Sequence, residues 1–231
     1  MQIIAHRGAS GEYPENTLLA IEQAISQGAD AIEIDVFAID NELIVIHDHH
    51  LNRTTNGQGS IYDYALPKLL QLDAGQGQAI PLLREVLDRL PAGLWLNIEL
   101  KGNNTVAPLL QLLAEQEAQG KDSSRLLISS FNHHLLARLK QEKPDLKLGA
   151  LTAGLPLDYA AFAARLGAYS VNCDVGFINQ AFVNDARARN LEIYVYTVDE
   201  QDDIQRMKKL GVSGIFTNYP ARSRAWQKTT A

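Results

Sequence analysis

The feature that most constrains this chain is an alternation that runs from one end to the other. Short apolar runs bounded by turn residues take turns with amphipathic runs of about ten to fifteen residues. That pattern belongs to an α/β fold, in which helices cross over between parallel strands. It predicts strands over 2–6, 31–36, 43–47, 94–100, 125–129, 147–152, 169–173, 192–198 and 214–217. Helices are predicted over 17–27, 82–90, 105–119, 134–142, 157–166, 180–189 and 201–210. Asn16 or Thr17 can cap the first helix, Gly28 suits its left-handed end, Pro81 suits a first helical turn, and Gly211 closes the last helix.

Eight or nine such alternations, with no linker or repeat, fit an irregular closed TIM (β/α)₈ barrel, for which ~250 residues is usual. The 231 residues read as one domain spanning 1–231. An open doubly wound sheet is the alternative, weakened by the absence of a GxGxxG turn. Between Asp35 and Leu43 there is room only for a tight turn, so the second and third strands should form a hairpin. With Asp40 and Asn41 as the turn, opposed residue numbers sum to 81, which sets Asp35 against Ile46 and Glu33 against Asp48. Residues 48–79 are polar and glycine-spaced, too long for a plain loop, and read as an insertion on the catalytic face.

Composition narrows the function. Twenty-one basic against 27 acidic residues leave a net charge of −6, with no surplus for neutralising a nucleic acid. Cys173 is the only cysteine, so no internal disulfide forms, and the residue reads as core packing. No run reaches the ~18 apolar residues of a membrane span. The start of the chain lacks the pattern of a secretory leader, which gives the expectation of a cytoplasmic protein.

Strand alternation points Glu33 and Asp35 one way, and Asn97, Glu99 and Lys101 one way on another strand. Charges in such apolar strands are costly unless paired or bound to an ion. Three carboxylates without clustered cysteines suit a hard divalent cation, Mg²⁺ or Ca²⁺. The competing reading is a structural ion pair with Arg7 or Lys101. Charge favours the cation: the residual −1 of these five groups is cancelled by a divalent ion carrying a mono-anionic phosphodiester. His6 and His47 end strands at the rim, where two imidazoles can act as base and acid. His49, His50, His133 and His134 read as exposed loop or cap residues, Arg222 and Arg224 as a solvated tail, and Trp226, Tyr196 and Phe131 as core aromatics that could instead line a pocket.

The segments His6-Arg7-Gly8, Glu15-Asn16-Thr17, Glu33-Ile34-Asp35, His47-Asp48, Arg53 to Gly57, Leu72 to Gly75, Asn97 to Lys101, Ser129-Ser130-Phe131, Tyr196-Thr197-Val198 and Gly211 to Thr217 occur in this order. The ordered set resembles the glycerophosphodiester phosphodiesterases, in particular their short cytoplasmic bacterial members. The resemblance implies a barrel related to phosphatidylinositol phospholipases C and hydrolysis of a small glycerophosphodiester to sn-glycerol 3-phosphate and an alcohol. It implies Glu33, Asp35 and Glu99 as metal ligands, His6 and His47 as the acid/base pair, Arg7 and Lys101 on the phosphate, and Glu15 orienting Arg7. Helix capping would account for Asn16 and Thr17.

Departures from the family pattern are a hairpin turn without glycine, Leu82 after the proline in place of threonine, Tyr196 in place of tryptophan, and Asn218 in place of aspartate. Leu82 and Asn218 are expected to affect rim packing or substrate fit, and Tyr196 the shape of the pocket. The rivals are a lyase of related fold that stops at a cyclic phosphate and a silent phosphodiester-binding barrel. The silent barrel predicts the loss of a histidine or ligand carboxylate, and all five are present.

Overall fold

In the computed structural model, which describes residues 1–228, the apolar runs become nine strands. They are β1 Gln2–His6, β2 Ala31–Ile39, β3 Glu42–Val45, β4 Trp95–Leu100, β5 Leu126–Ser130, β6 Lys147–Thr152, β7 Ser170–Asp174, β8 Glu192–Tyr196 and β9 Gly214–Thr217. Eight of them run parallel in the order β1-β9-β8-β7-β6-β5-β4-β2, and a β1–β2 pairing closes the ring. This is a TIM (β/α)₈ barrel. Its helices are α1 Leu18–Ser26, α2 Leu66–Leu69, α3 Leu83–Arg89, α4 Val106–Ala118, α5 His133–Glu142, α6 Ala161–Arg165, α7 Gln180–Ala188, α8 Gln201–Leu210 and α9 Pro220–Lys228.

β3 stands outside the ring, antiparallel to β2, with Val36 opposite Val45 and Phe37 opposite Ile44. This is the register predicted from a two-residue turn. Asp40 and Asn41 have φ of 50° and 64°, so the turn adopts the doubly left-handed form that favours Asn and Asp as well as Gly, and no glycine is needed. The pairing continues as far as Ile46, whose N–H donates to the Asp35 carbonyl at 3.0 Å, and then stops. Asp48 therefore does not oppose Glu33, and His47 lies just beyond the strand rather than ending it.

All nine residues of β2 are buried, as expected for a strand covered on both faces. Its outward Ile32, Ile34 and Val36 join the main core beneath the helices. Inside the ring, Ile4, Ala31, Leu127, Tyr194 and Phe216 form a separate apolar plug. Above the plug the inward positions turn polar with Glu33, Asn97, Ser129 and Asn172. A filled lower barrel with a polar upper layer places chemistry at the carboxyl ends of the strands.

Residues 48–79 fold over a third cluster that contains Leu51, Ile61, Leu69 and Ala74, packed against Phe37 and Ile44 of the hairpin. This insertion holds two 3₁₀ turns and α2, which the sequence pattern did not reveal. Two further expectations are corrected. α6 begins at Ala161 rather than 157, because Leu155 and Leu157 stand exposed in the preceding loop. The predicted basic tail is α9: Arg224 pairs with Asp30 at 2.6 Å, and the Arg222 guanidinium lies over the rings of Tyr219 and Trp226.

Candidate active site

Adjacent strands assemble the acids. β1 pairs His6 with Glu33, and β2 pairs Glu33 with Asn97 and Asp35 with Glu99. One ligand oxygen from each of Glu33, Asp35 and Glu99 lies within 4.8 Å of the others, and all three residues are buried. Lys101 Nζ reaches Glu99 Oε1 at 2.5 Å and Asp35 Oδ1 at 3.1 Å, and Arg7 Nε lies 3.2 Å from Asp35 Oδ2. The predicted ion pairs therefore exist, but they leave acceptors over. Glu33 Oε1 and the Oδ1 of Asn97, its neighbour across the β2–β4 pairing, are buried without a hydrogen-bond donor. Orphaned oxygens in an all-oxygen acidic pocket fit a hard divalent cation.

The His-Arg-Gly turn has a steric explanation. Arg7 and Gly8 both have positive φ, and a Cβ on Gly8 would lie 2.6 Å from the Ala20 backbone carbon. Only glycine allows α1 to approach this closely. The turn aims the Arg7 N–H at Glu33 Oε2, 2.9 Å away, and its guanidinium at Glu15 Oε1, 2.8 Å away.

Each residue of Glu15-Asn16-Thr17 has its own task. Glu15 accepts that bond from Arg7 and also takes two hydrogen bonds from Arg53. Thr17 caps α1 through Ala20 N–H. Asn16 is not a cap: its amide donates to Asp35 Oδ2 at 2.9 Å and its carbonyl oxygen accepts from Asp35 N–H, so it fixes that carboxylate.

The two histidines have different partners. His47 Nδ1 lies 2.5 Å from Asp48 Oδ1, and Arg53 holds the second oxygen of Asp48 at 2.6 Å. His6 Nδ1 instead meets Asn218 Oδ1 at 2.8 Å. The Asn218 amide donates to Asp199 at 2.6 Å, which fixes the orientation of its carbonyl oxygen toward His6. His6 must therefore carry its proton on Nδ1. Asn218, expected to act only through packing or fit, contacts an acid/base candidate directly. Leu82 does behave as a packing residue, half-buried against the insertion core.

A cavity of about 220 Å³ opens at the barrel mouth. It contains His6, Arg7, Glu33, His47, Asn97, Glu99 and Lys101, with Phe131, Leu151 and Tyr196 among its apolar walls and Phe216 of the plug below. The Tyr196 hydroxyl donates to the Thr152 carbonyl at 2.8 Å and its ring meets Phe131 edge-on. Trp226 is on α9, away from the cavity. A larger groove of about 430 Å³ between Leu87 and Arg125 contains none of the site residues. His49, His50 and His134 are exposed as expected, but His133 stacks on Phe162 and bonds to the Leu151 carbonyl. Burial pushes the Cys173 thiol up to about 12, in keeping with a packing role.

Burial, with Asp35 and Glu99 nearby, pushes Glu33 well above the usual carboxylate range, and burial beside Asp35 raises Glu99 to about 7. Burial also opposes ionisation of Asp35, but Lys101 and Arg7 outweigh it and hold that carboxyl low. A raised carboxyl binds its proton more tightly in the folded state. The stability contributed by Glu99 is thus complete below its unfolded value of ~4.3 and is lost as pH rises through about 7. A cation must displace this proton, so its affinity falls as pH falls. Scanning calorimetry should show Mg²⁺ or Ca²⁺ at ~100 Kd raising Tm by roughly 5–10 °C at pH ~7.5, and clearly less at pH ~5.5. A Tm indifferent to metal at both pH values would reduce the cluster to ion pairing.

Fold and site together define a barrel enzyme of phosphodiester chemistry. Residues 6–222 match the glycerophosphoryl diester phosphodiesterase family. The chain is 36% identical to a glycerophosphodiester phosphodiesterase of Caldanaerobacter subterraneus over 94% of each chain, and 37% identical to one of Bacillus altitudinis over 96% of each. It superimposes with a TM-score of 0.91 on an Oleispira antarctica phosphodiesterase solved with the product sn-glycerol-3-phosphate, at 30% identity over 99% of this chain and 97% of that one. The chain belongs to the glycerophosphodiester phosphodiesterase family.

Proposed function

We propose that this protein is a single-domain enzyme that hydrolyses small glycerophosphodiesters to sn-glycerol 3-phosphate and an alcohol, with Mg²⁺ or Ca²⁺ held by Glu33, Asp35 and Glu99. The observation that carries the reading is the unequal support of two histidines beside an acid cluster in one cavity. Both rings are held through Nδ1, which leaves Nε2 of each for a ligand. A neutral amide fixes His6 with a lone pair on Nε2, and burial with Arg7 nearby keeps the ring neutral by lowering its pKa to about 4. His6 is the base. Burial lowers the His47 pKa as well, but its carboxylate partner Asp48 stabilises the imidazolium, and an arriving anionic diester favours it further. His47 is the acid.

When bound, the cation supplies Lewis-acid stabilisation of charge on the phosphoryl oxygens. Arg7, braced by Glu15 and Asp35, and Lys101, braced by Glu99, hold those oxygens from the protein side. In the first step His6 Nε2 takes the proton of the glycerol 2-hydroxyl as its oxygen bonds to phosphorus. His47 protonates the departing alkoxide as the ester bond to phosphorus breaks. Water then opens the cyclic phosphate with the roles exchanged: His47 accepts the water proton and His6 returns its own to the 2-oxygen.

The test is release of glycerol 3-phosphate from glycerophosphocholine and glycerophosphoethanolamine, followed by phosphorus NMR with chelator and with each metal. Metal-dependent release without lasting cyclic phosphate is expected. Accumulation of the cyclic species would make the protein a lyase, and no turnover of any glycerophosphodiester by folded protein would make it a binding barrel.

A further inference from the structure

Two of the segments that carry the family resemblance, Arg53 to Gly57 and Leu72 to Gly75, contribute no lining residue to the active-site cavity. Their contacts show what they build. Leu51 is fully buried in the insertion core, and its carbonyl accepts both the N–H and the hydroxyl of Thr55, at 3.0 and 2.8 Å. Asn56 and Asp73 exchange two hydrogen bonds, from Asn56 N–H to the Asp73 carbonyl and from Asp73 N–H to Asn56 Oδ1. Two glycines let these legs close. A Cβ on Gly57 would lie 2.8 Å from Leu72 Cδ1 and 3.0 Å from Leu51 Cδ1, and one on Gly75, whose φ is 102°, would lie 3.0 Å from Pro14 Cγ. The insertion is thus seated against the residue before Glu15, and its first 3₁₀ turn, Leu51–Arg53, ends on Arg53.

Arg53 divides its planar fork between two carboxylates. Its Nε donates to Asp48 Oδ2 at 2.6 Å, while Nη1 and Nη2 donate to the two oxygens of Glu15 at 2.7 and 2.8 Å. The other oxygen of Asp48 meets His47 Nδ1, and Glu15 Oε1 also accepts from Arg7. An unbroken run of contacts therefore leads from His47 through Asp48, Arg53 and Glu15 to Arg7. The hydrogen bond from Arg53 holds the Asp48 carboxyl well below the usual carboxylate range; burial pushes Glu15 up, but Arg53 and Arg7 outweigh it and hold that carboxyl low. Both carboxylates are thus charged and fixed in orientation. A lysine would supply the charge but not the geometry, because its three donors radiate from one atom. The Arg53 side chain is 48% exposed, and ion pairs so exposed contribute little to stability, so its three bonds act chiefly on placement. We propose, on the roles given above to His47 and Arg7, that Arg53 is a positioning residue which fixes the leaving-group acid and the phosphate-binding guanidinium relative to each other, and that the two insertion motifs are its mount.

Single-turnover alcohol release from glycerophosphocholine and from a p-nitrophenyl glycerophosphodiester, with Mg²⁺ or Ca²⁺ added, tests this for the full chain, Arg53→Lys, His47→Ala and the double variant. Arg53→Lys should cleave glycerophosphocholine roughly 10–100-fold more slowly. On the p-nitrophenyl diester, whose leaving group needs no acid, it should lose only the part that acts through Arg7, roughly 3–10-fold. In the His47→Ala background the lysine substitution should cost this smaller factor on both substrates, while Tm moves by less than ~3 °C. Wild-type rates in Arg53→Lys would reduce the residue to a counter-charge and overturn the proposal. Equal losses on the two diesters would confine Arg53 to Arg7, and an unchanged p-nitrophenyl rate would confine it to His47; either result overturns the coupling. If the wild type turns over no glycerophosphodiester, the hydrolytic reading falls, and nitrogen NMR of the His47 ring and the Arg7 guanidinium decides the bracing by itself. Resonances of both must then shift in Arg53→Lys, and anything less overturns it.

Discussion

Glycerophosphocholine hydrolysis is expected to fall by about three orders of magnitude or more in the Glu33→Gln variant, while the metal-free protein becomes more heat-stable. The two effects have one origin. Glu33 Oε2 accepts the Arg7 N–H, and Oε1 is buried without a donor. Glutamine keeps the first contact and cannot ionise at a buried position where burial, Asp35 and Glu99 already oppose a charge. Relief of like-charge repulsion stabilises the fold without metal. The same exchange removes an anionic ligand, and a thousandfold loss corresponds to ~4 kcal/mol of transition-state stabilisation, within what a bound cation supplies. Calorimetry with and without metal, beside the NMR assay, checks both signs. If Glu33 served only as a counter-ion, the variant would lose stability instead, because Arg7 would lose an anionic neighbour.

The second large effect separates the two histidines. His47→Ala should slow glycerophosphocholine cleavage by about 10²–10⁴, yet cost far less in a single turnover of a p-nitrophenyl glycerophosphodiester, because p-nitrophenolate departs without a proton and before His47 is needed as the base of the second step. His6→Ala should lose a similar factor on both substrates, since each requires the nucleophile to be deprotonated. Single-turnover rates of alcohol release for the two variants on the two diesters decide it. Equal losses for His47→Ala on both would take the acid role away from His47. The insertion has a stake in this result, because Arg53 holds the carboxylate that supports His47 and also braces Glu15.

What could be read from the sequence was what local periodicity encodes. Alternation gave Glu33 and Asp35 one direction on β2 and Asn97 and Glu99 one direction on β4, and a two-residue turn set the hairpin register. What could not be read depended on partners far along the chain. Nothing local distinguishes Asn218 as the partner of His6, or tells that Asp199 fixes its amide. Arg53 stood within a quoted motif, but its reach to Glu15 spans 38 positions and depends on how the insertion folds back. Asn16 was misread because a short polar residue before a helix is usually a cap, and the neighbouring Thr17 had already taken that task. α9 was missed because its surface is largely polar and its anchors, Asp30 for Arg224 and the Asp199 carbonyl for Arg222, lie on other elements.

The contact between His6 and Asn218 joins residues 212 positions apart. During synthesis the three acids and His47 are complete once β4 has emerged, whereas the group that orients the base arrives with the segment after β9. At ~5–20 residues per second, Asn218 follows the end of β4 by roughly 6–24 seconds. The acids of the cluster thus all lie in the first half of the chain, and the partner of His6 in its last part.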